Sequence, residues 1–264
     1  GGCYTDLPTL LREARPAIVD ICTPPAVHAT QARQALEAGC HVLCEKPLVF
    51  GSALTSEEML QQAREVTQMA VARGARFGLC SQFSVVARTC YDLLQAHEPG
   101  DLLKLAVELR SPVRGRTPDP VQTWVDLGPH LVAVLQTLVP GAEPEWPEVR
   151  ATTDEHEARF DFPVPLQDGA SLDVQFVVGF TTGEPANVRR VVLNHTPFDL
   201  IGEAGPDGHF RMRYRSGTGL DEPRSDPMRL LIREFLAGHP PLGPEAACEN
   251  QRLLLRLLAA LPRG

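Results

Sequence analysis

Two short stretches carry residue types that could do chemistry. The first is HVLCEKPL, residues 41–48, where an apolar run ends on Glu45, Lys46 and Pro47. A lysine held at the mouth of a cleft and partly desolvated can hydrogen-bond a substrate hydroxyl and stabilise charge on its oxygen. The second is DLGPH, residues 126–130, which sets Asp126 and His130 four positions apart. On a helix that spacing puts both side chains on one face. A carboxylate beside an imidazole orients it and favours its charged form. Histidine is also the side chain best suited to moving a proton near neutral pH. Each stretch has a plainer reading. Lys46 is then a solvated strand end, and Asp126 and His130 are a helix cap and a half-buried histidine.

These residues act together only if regular elements deliver them to one place. AIVDIC (17–22) is a β-branched apolar run stopped by Thr23-Pro24-Pro25. Residues 26–39 have helical periodicity and end on Gly39. CHVLCEK is a second strand. TSEEMLQQAREVTQMAVARG opens with Thr55 and Glu58, a capping box, and closes on Gly74. ARFGLCSQF is a third strand. Alternating strands and helices predict a parallel sheet with right-handed crossovers. In such a sheet, ligands bind beyond the carboxyl ends of the strands. Thr23-Pro24-Pro25, Glu45-Lys46-Pro47 and Ser81-Gln82 all fall there, with His28 in the first turn of the intervening helix.

After residue 83 the pattern changes. The spacing predicts a helix over 84–96, a strand over 101–113, a loop over 114–123 and a helix from about Leu127 to Leu138. Five strand-like runs follow between 157 and 216, with Asp207-Gly208 as a hairpin turn. Two helices close the chain. The expected architecture is α/β: a partial Rossmann-type parallel sheet in residues 1–83, then an α+β domain in 84–264 with a large, mainly antiparallel sheet. If that sheet is open with an apolar outer face, it should pair with another copy as a dimer or tetramer. VQFVVGF, which alternates only partly, suggests burial on both sides.

The chain has 264 residues and a formal net charge of −8. That acidic balance disfavours a nucleic-acid partner, since such binding neutralises phosphates with Lys and Arg. No apolar run approaches the roughly 20 residues that span a bilayer. The start lacks the basic head and apolar core of a secretory leader. Seven cysteines, an odd number, sit mostly inside apolar runs. They read as reduced, buried thiols of a cytoplasmic enzyme, not as a disulfide framework or a metal site.

Together, VDICTPPAVHATQARQALEAGCHVLCEKPL and the later DLGPHLVAVL resemble the Gfo/Idh/MocA oxidoreductases, which include glucose-fructose oxidoreductase and inositol dehydrogenase. The resemblance implies hydride transfer between NAD or NADP and a hydroxyl or keto carbon of a sugar, nucleotide sugar or cyclitol. It casts Lys46 as the contact to the reacting hydroxyl and nicotinamide, across a Lys46–Pro47 bond that is often cis in such enzymes. His130 becomes the acid/base, and Asp126 its substrate-binding or orienting partner. Thr23, Pro24, Pro25, His28, Glu45, Lys46, Pro47 and Gln82 border the dinucleotide, and no metal is implied. A second reading on the same scaffold is a catalytically silent, ligand-sensing relative.

The sequence departs from the family pattern in three places. It contains no G-x-G-x-x-G fingerprint. It does not begin with Met, which suggests that it is part of a longer dehydrogenase or a shortened stand-alone chain. Ser81-Gln82 stand where many members carry an arginine, and VQTWV replaces a glycine run.

Overall fold

Side-chain caps set the first helix starts. Asp6 Oδ1 accepts the Thr9 N–H at 2.8 Å and opens α1 (Leu7–Ala14). Thr55 Oγ1 accepts the Glu58 N–H at 3.2 Å, and the Glu58 carboxylate accepts the Thr55 N–H at 2.7 Å. This reciprocal pair satisfies two N–H groups that have no partner inside the helix, and it opens α3 (Ser56–Ala72). The computed structural model describes residues 2–113, 119–181 and 183–262. It divides into two compact units.

The first unit comprises Gly1–Ser81 and Leu231–Leu255. Its sheet has three parallel strands in the order β1 (Ile18–Ile21), β2 (His41–Glu45) and β3 (Phe77–Cys80). The helix α2 (Pro25–Glu37) crosses between β1 and β2, and α3 between β2 and β3. Ala32, Leu36, Val42, Cys44, Ala63, Val66, Ala70 and Phe77 are fully buried between them. The expectation placed all of 84–264 in the second unit, but the chain returns to the first over Leu231–Leu255. Polar contacts hold that return. Gln251 accepts the Val49 N–H at 3.0 Å and donates to the Val49 oxygen at 2.9 Å. The Arg76 guanidinium donates to the oxygens of Phe235 and Leu236, each at 2.8 Å.

The second unit, Gln82–Leu230 with Arg256–Gly264, is built on an eight-stranded sheet. Its strands are β4 (Lys104–Pro112), β5 (Arg150–Thr153), β6 (Glu157–Pro165), β7 (Ser171–Thr181), β8 (Val188–Leu193), β9 (Thr196–Ala204), β10 (Phe210–Ser216) and β11 (Asp221–Ser225). They lie in the order β11-β10-β9-β8-β4-β7-β6-β5, antiparallel except for the parallel pair β4–β7. The helices α4 (Phe83–His97) and α5 (Pro120–Leu138) cover one face. Trp124 of α5 is fully buried, its ring 4.3 Å from that of Phe160 and 6.4 Å from that of Phe176. The helices α6 (Pro227–Ala237) and α7 (Pro244–Ala260) end the chain.

Three expectations need correction. The helix carrying Asp126 and His130 begins at Pro120, not near Leu127. Asp119 caps it through the Gln122 N–H at 3.1 Å, and Pro120 supplies a preset φ where no N–H is needed. VQTWV is therefore helical, while 114–118 of the expected loop lies outside the described residues. Two strands, β5 and β11, have no apolar signal because both are short, polar sheet edges; β11 carries Pro223, which only an edge tolerates.

The third correction concerns the sheet's outer face, which is charged. Arg110 meets Glu108 at 2.6 Å and Glu157 at 2.5 Å, Arg190 meets Asp199 at 2.7 Å, and Arg213 meets Glu203 and Asp221, both at 2.8 Å. Val174, Phe176, Val177 and Val178 of VQFVVGF still come out buried, Val177 in a row between Arg159 and Glu108, while Phe180 is half-buried.

Candidate active site

The parallel strands end at one level, because Ile21 lies beside Cys44 and Glu45 beside Cys80 in register. Thr23-Pro24-Pro25 and Glu45-Lys46-Pro47 therefore leave the same edge of the three-stranded sheet. Ser81, and after it Gln82, follow β3. Thr23 and Pro24 are exposed, while Pro25, Glu45 and Lys46 are half-buried. Pro47 is buried, and the Lys46–Pro47 peptide is cis.

His28 organises this edge from behind. It is fully buried, so it does not present a free ring to a ligand. Its Nδ1 lies 2.9 Å from the Pro47 oxygen and its Nε2 2.7 Å from the Thr23 oxygen. Both neighbours are acceptors. A neutral imidazole has one N–H and satisfies one of them; the doubly protonated ring donates to both. Either way, the ring fastens the turn after β1 to the turn after β2. Its place in the first turn of α2 follows from Pro24-Pro25, which ends β1 and starts the helix.

Glu45 is fixed from two sides. Its carboxylate accepts the Lys46 N–H at 3.2 Å. It also accepts the thiol of Cys80, a buried group whose pKa is pushed upward by burial and by the Glu45 charge, so the S–H proton stays in place. Reading the sequence did not single out Cys80. Its signal was the E-K-P acid facing a cysteine across parallel strands, visible only once the register is known. Thr23 Oγ1 donates to Gln31 Oε1 at 2.7 Å, which ties the turn to α2.

In the second unit, Asp126 and His130 stand in the interior of α5, not at its start. Asp126 is exposed and His130 half-buried. The His130 ring lies 5.0 Å from that of Phe83, the first residue of α4. Gly128 between them is required by packing. A Cβ there would sit 2.8 Å from the Trp124 indole, one helical turn back. Pro129 cannot donate the usual helix bond to Val125, which locally loosens the ladder beside His130. Gln82 is half-buried at the entry to α4.

All seven cysteines are free thiols. Cys40, Cys44, Cys80 and Cys90 are buried, Cys248 is half-buried, and Cys3 and Cys22 are exposed. Burial raises the thiol pKa of Cys44 and Cys90, which makes them packing groups, not nucleophiles. Among the described residues no group of His, Cys, Asp and Glu could hold a metal, and no helix is long and apolar enough to cross a membrane.

Residues 2–79 match the model of the GFO_IDH_MocA oxidoreductase family, described as an NAD-binding Rossmann fold. Over 67 residues the chain is 40% identical to D-glucoside 3-dehydrogenase of Escherichia coli (strain K12). That stretch is 25% of this chain and only 17% of the relative. Over nearly its whole length the chain has the fold of UDP-N-acetylglucosamine 3-dehydrogenase GnnA from Acidithiobacillus ferrooxidans. The TM-score is 0.73 at 21% identity, over 98% of this chain and 82% of that one. It is also similar to an inositol dehydrogenase homolog from Azotobacter vinelandii, solved with NADH and myo-inositol. Here the TM-score is 0.65 at 18% identity, over 98% and 80% of the two chains.

Proposed function

We propose, from the match of residues 2–79 to the GFO_IDH_MocA oxidoreductase model, that this chain carries the catalytic part of an NAD(P)-dependent dehydrogenase or reductase. Its substrate class is a sugar, nucleotide sugar or cyclitol. The observation that carries this reading is the doubly anchored Glu45-Lys46-Pro47 turn at the carboxyl edge of a parallel sheet. A solvated strand end needs neither a buried histidine nor a thiol-held carboxylate behind it.

The residues fit the nicotinamide end of a dinucleotide better than its phosphates. Thr23, Pro24, Glu45 and Lys46 surface where an open α/β sheet takes a ligand, and β1 pairs on one side only among the described residues. A G-x-G-x-x-G cradle is not part of this sequence. The bound nicotinamide supplies the hydride acceptor or donor. Lys46 hydrogen-bonds the reacting hydroxyl and stabilises the charge that grows on its oxygen. His130 takes the hydroxyl proton, or returns it in the reverse direction, and Asp126 holds substrate or favours the charged imidazole. His28 acts through the main chain, as a positioning residue for the turn that carries Lys46.

Titration of NADH fluorescence with the full chain tests this reading. Saturable binding, with sugar-dependent oxidation or reduction, supports the dehydrogenase. Absence of binding even after an N-terminal G-x-G-x-x-G segment is supplied would sink it in favour of a silent relative. Self-association as a dimer or tetramer belongs to the same proposal. Light scattering checks it. Seven free thiols favour a reducing compartment such as the cytoplasm.

A further inference from the structure

Residues of β8 alternate between the two faces of the large sheet, and Arg189 falls on the inner one. Arg190 points outward and pairs with Asp199 at 2.7 Å. Val191 and Leu193 point inward and are fully buried. Arg189 shares their parity. It lies beside Leu109 of β4 in register, and the pairing of Arg190 with Asp199 brings Leu200 of β9 to its other side. The row reads Val178, Leu109, Arg189, Leu200, Tyr214 across five strands. Every member except the arginine is an almost completely buried apolar or aromatic side chain.

Arg189 has no acidic partner in this row. Arg110, Arg159, Arg190 and Arg213 of the same sheet each meet a carboxylate. The Arg189 side chain makes no hydrogen bond or ion pair among the described residues, and the residues outside them include no Asp or Glu. Burial alone shifts its guanidinium, lowering the pKa from the ordinary value. A half-buried cation without a counter-charge lowers stability, and in proteins such groups are paired or bind something. Guanidinium offers a planar fork of donors and no acceptor, which matches a carboxylate or a phosphate.

The row lies on the helix-covered side of the unit that holds His130. The helix α4 lies on β8, the strand that carries Arg189. Phe83, at the start of that helix, touches the His130 ring. We propose that Arg189 is the anion-binding residue of the substrate site, selecting a sugar or cyclitol that carries a carboxylate or a phosphate. The dehydrogenase reading supplies the sugar part of this statement; the anion site stands on Arg189 itself.

The test uses calorimetric titration of the full chain with glucuronate, inorganic phosphate and, as neutral control, glucose. Wild type should bind at least one of the two anions, and which one separates a uronate from a phosphate ester. Arg189→Met should weaken that anion about ten-fold or more, as loss of a charge-assisted contact requires. Arg189→Lys should retain part of it, and glucose should be unaffected. Without ligand, Arg189→Met should melt no lower than wild type, since it removes an unpaired charge, but it should lose the anion-induced rise in melting temperature. Equal anion affinity in wild type and Arg189→Met, or no anion binding by wild type, overturns the proposal. Arg189-dependent anion binding in a protein that never binds NADH leaves this site standing and removes the dehydrogenase. NADH-dependent turnover of anionic sugars that is indifferent to Arg189→Met does the reverse.

Discussion

His28 Nδ1 lies 2.9 Å from the main-chain oxygen of Pro47, so a side chain of α2 holds the residue that follows Lys46. Its other nitrogen holds Thr23 at 2.7 Å. Replacing His28 with Ala removes the ring that fastens the two carbonyls and opens a cavity in a fully buried position. We expect a loss of about 2–4 kcal/mol in unfolding free energy, measured by urea denaturation. In the assembled enzyme, turnover should fall more than substrate KM rises, because the main effect is on where Lys46 points. An unchanged kcat would show that the turn does not need its clamp.

Lys46→Ala should leave the fold intact, since the side chain is only half-buried. Turnover should drop about 100-fold or more, the usual cost of losing a group that stabilises a developing oxyanion. His130→Ala should lose a similar factor and flatten the pH–rate profile on the limb that the general base controls. Near-normal turnover in either variant removes that residue from its assigned role.

Gly128→Ala probes packing under the site. The added methyl would stand 2.8 Å from the rigid Trp124 indole, itself wedged against Phe160. Alanine is the better helix former, so propensity alone predicts stabilisation. We expect the opposite, a loss of about 1–3 kcal/mol from overpacking, read by thermal unfolding.

Gln251→Leu tests how the C-terminal segment is held in the first unit. Gln251 is buried and makes both hydrogen bonds to Val49. Leucine would leave the Val49 N–H and oxygen unsatisfied, at a cost of about 1–3 kcal/mol for each group left bare. Hydrogen exchange at the Val49 amide should accelerate in the variant.

Acid should weaken the fold through its hydrogen-bonded carboxylates. Main-chain and hydroxyl donors of Thr55 hold Glu58 below its ordinary 4.5, and the main chain of His156 and Glu157 holds Asp154 below 3.8. Arg213 does the same for Glu203 and Asp221. Each folded-state pKa is depressed, so the stabilisation is complete above the ordinary carboxylate range. It is lost as pH falls through the lower folded values. Denaturation midpoints should be flat from neutrality to about pH 5 and fall below about pH 4.

Local rules made much of this chain legible. Thr55 with Glu58, and Gly39, marked helix ends because capping is a matter of a few adjacent residues. Period-two runs gave the long central strands. The same rules failed at α5, where Pro120 reads as a loop residue unless Asp119 is recognised as its cap. They failed again at β5 and β11, which pair at sheet edges with polar residues and carry no apolar signature. Strand pairing is set by partners far along the chain, so no window of sequence reports it.

The same division holds at the site. The sequence by itself determined that Lys46 leaves a buried parallel strand and that Asp126 and His130 share a helix face, since both follow from spacing within one element. Tertiary structure decided what lies behind them. Only the fold shows His28 turned away from solvent onto two carbonyls, and the Cys80 thiol set against Glu45 across a strand pair. Only the register shows Arg189 turned inward where Arg190 is turned outward. Burial and counter-charge are properties of three-dimensional neighbours, and two adjacent arginines look alike until those neighbours are in place.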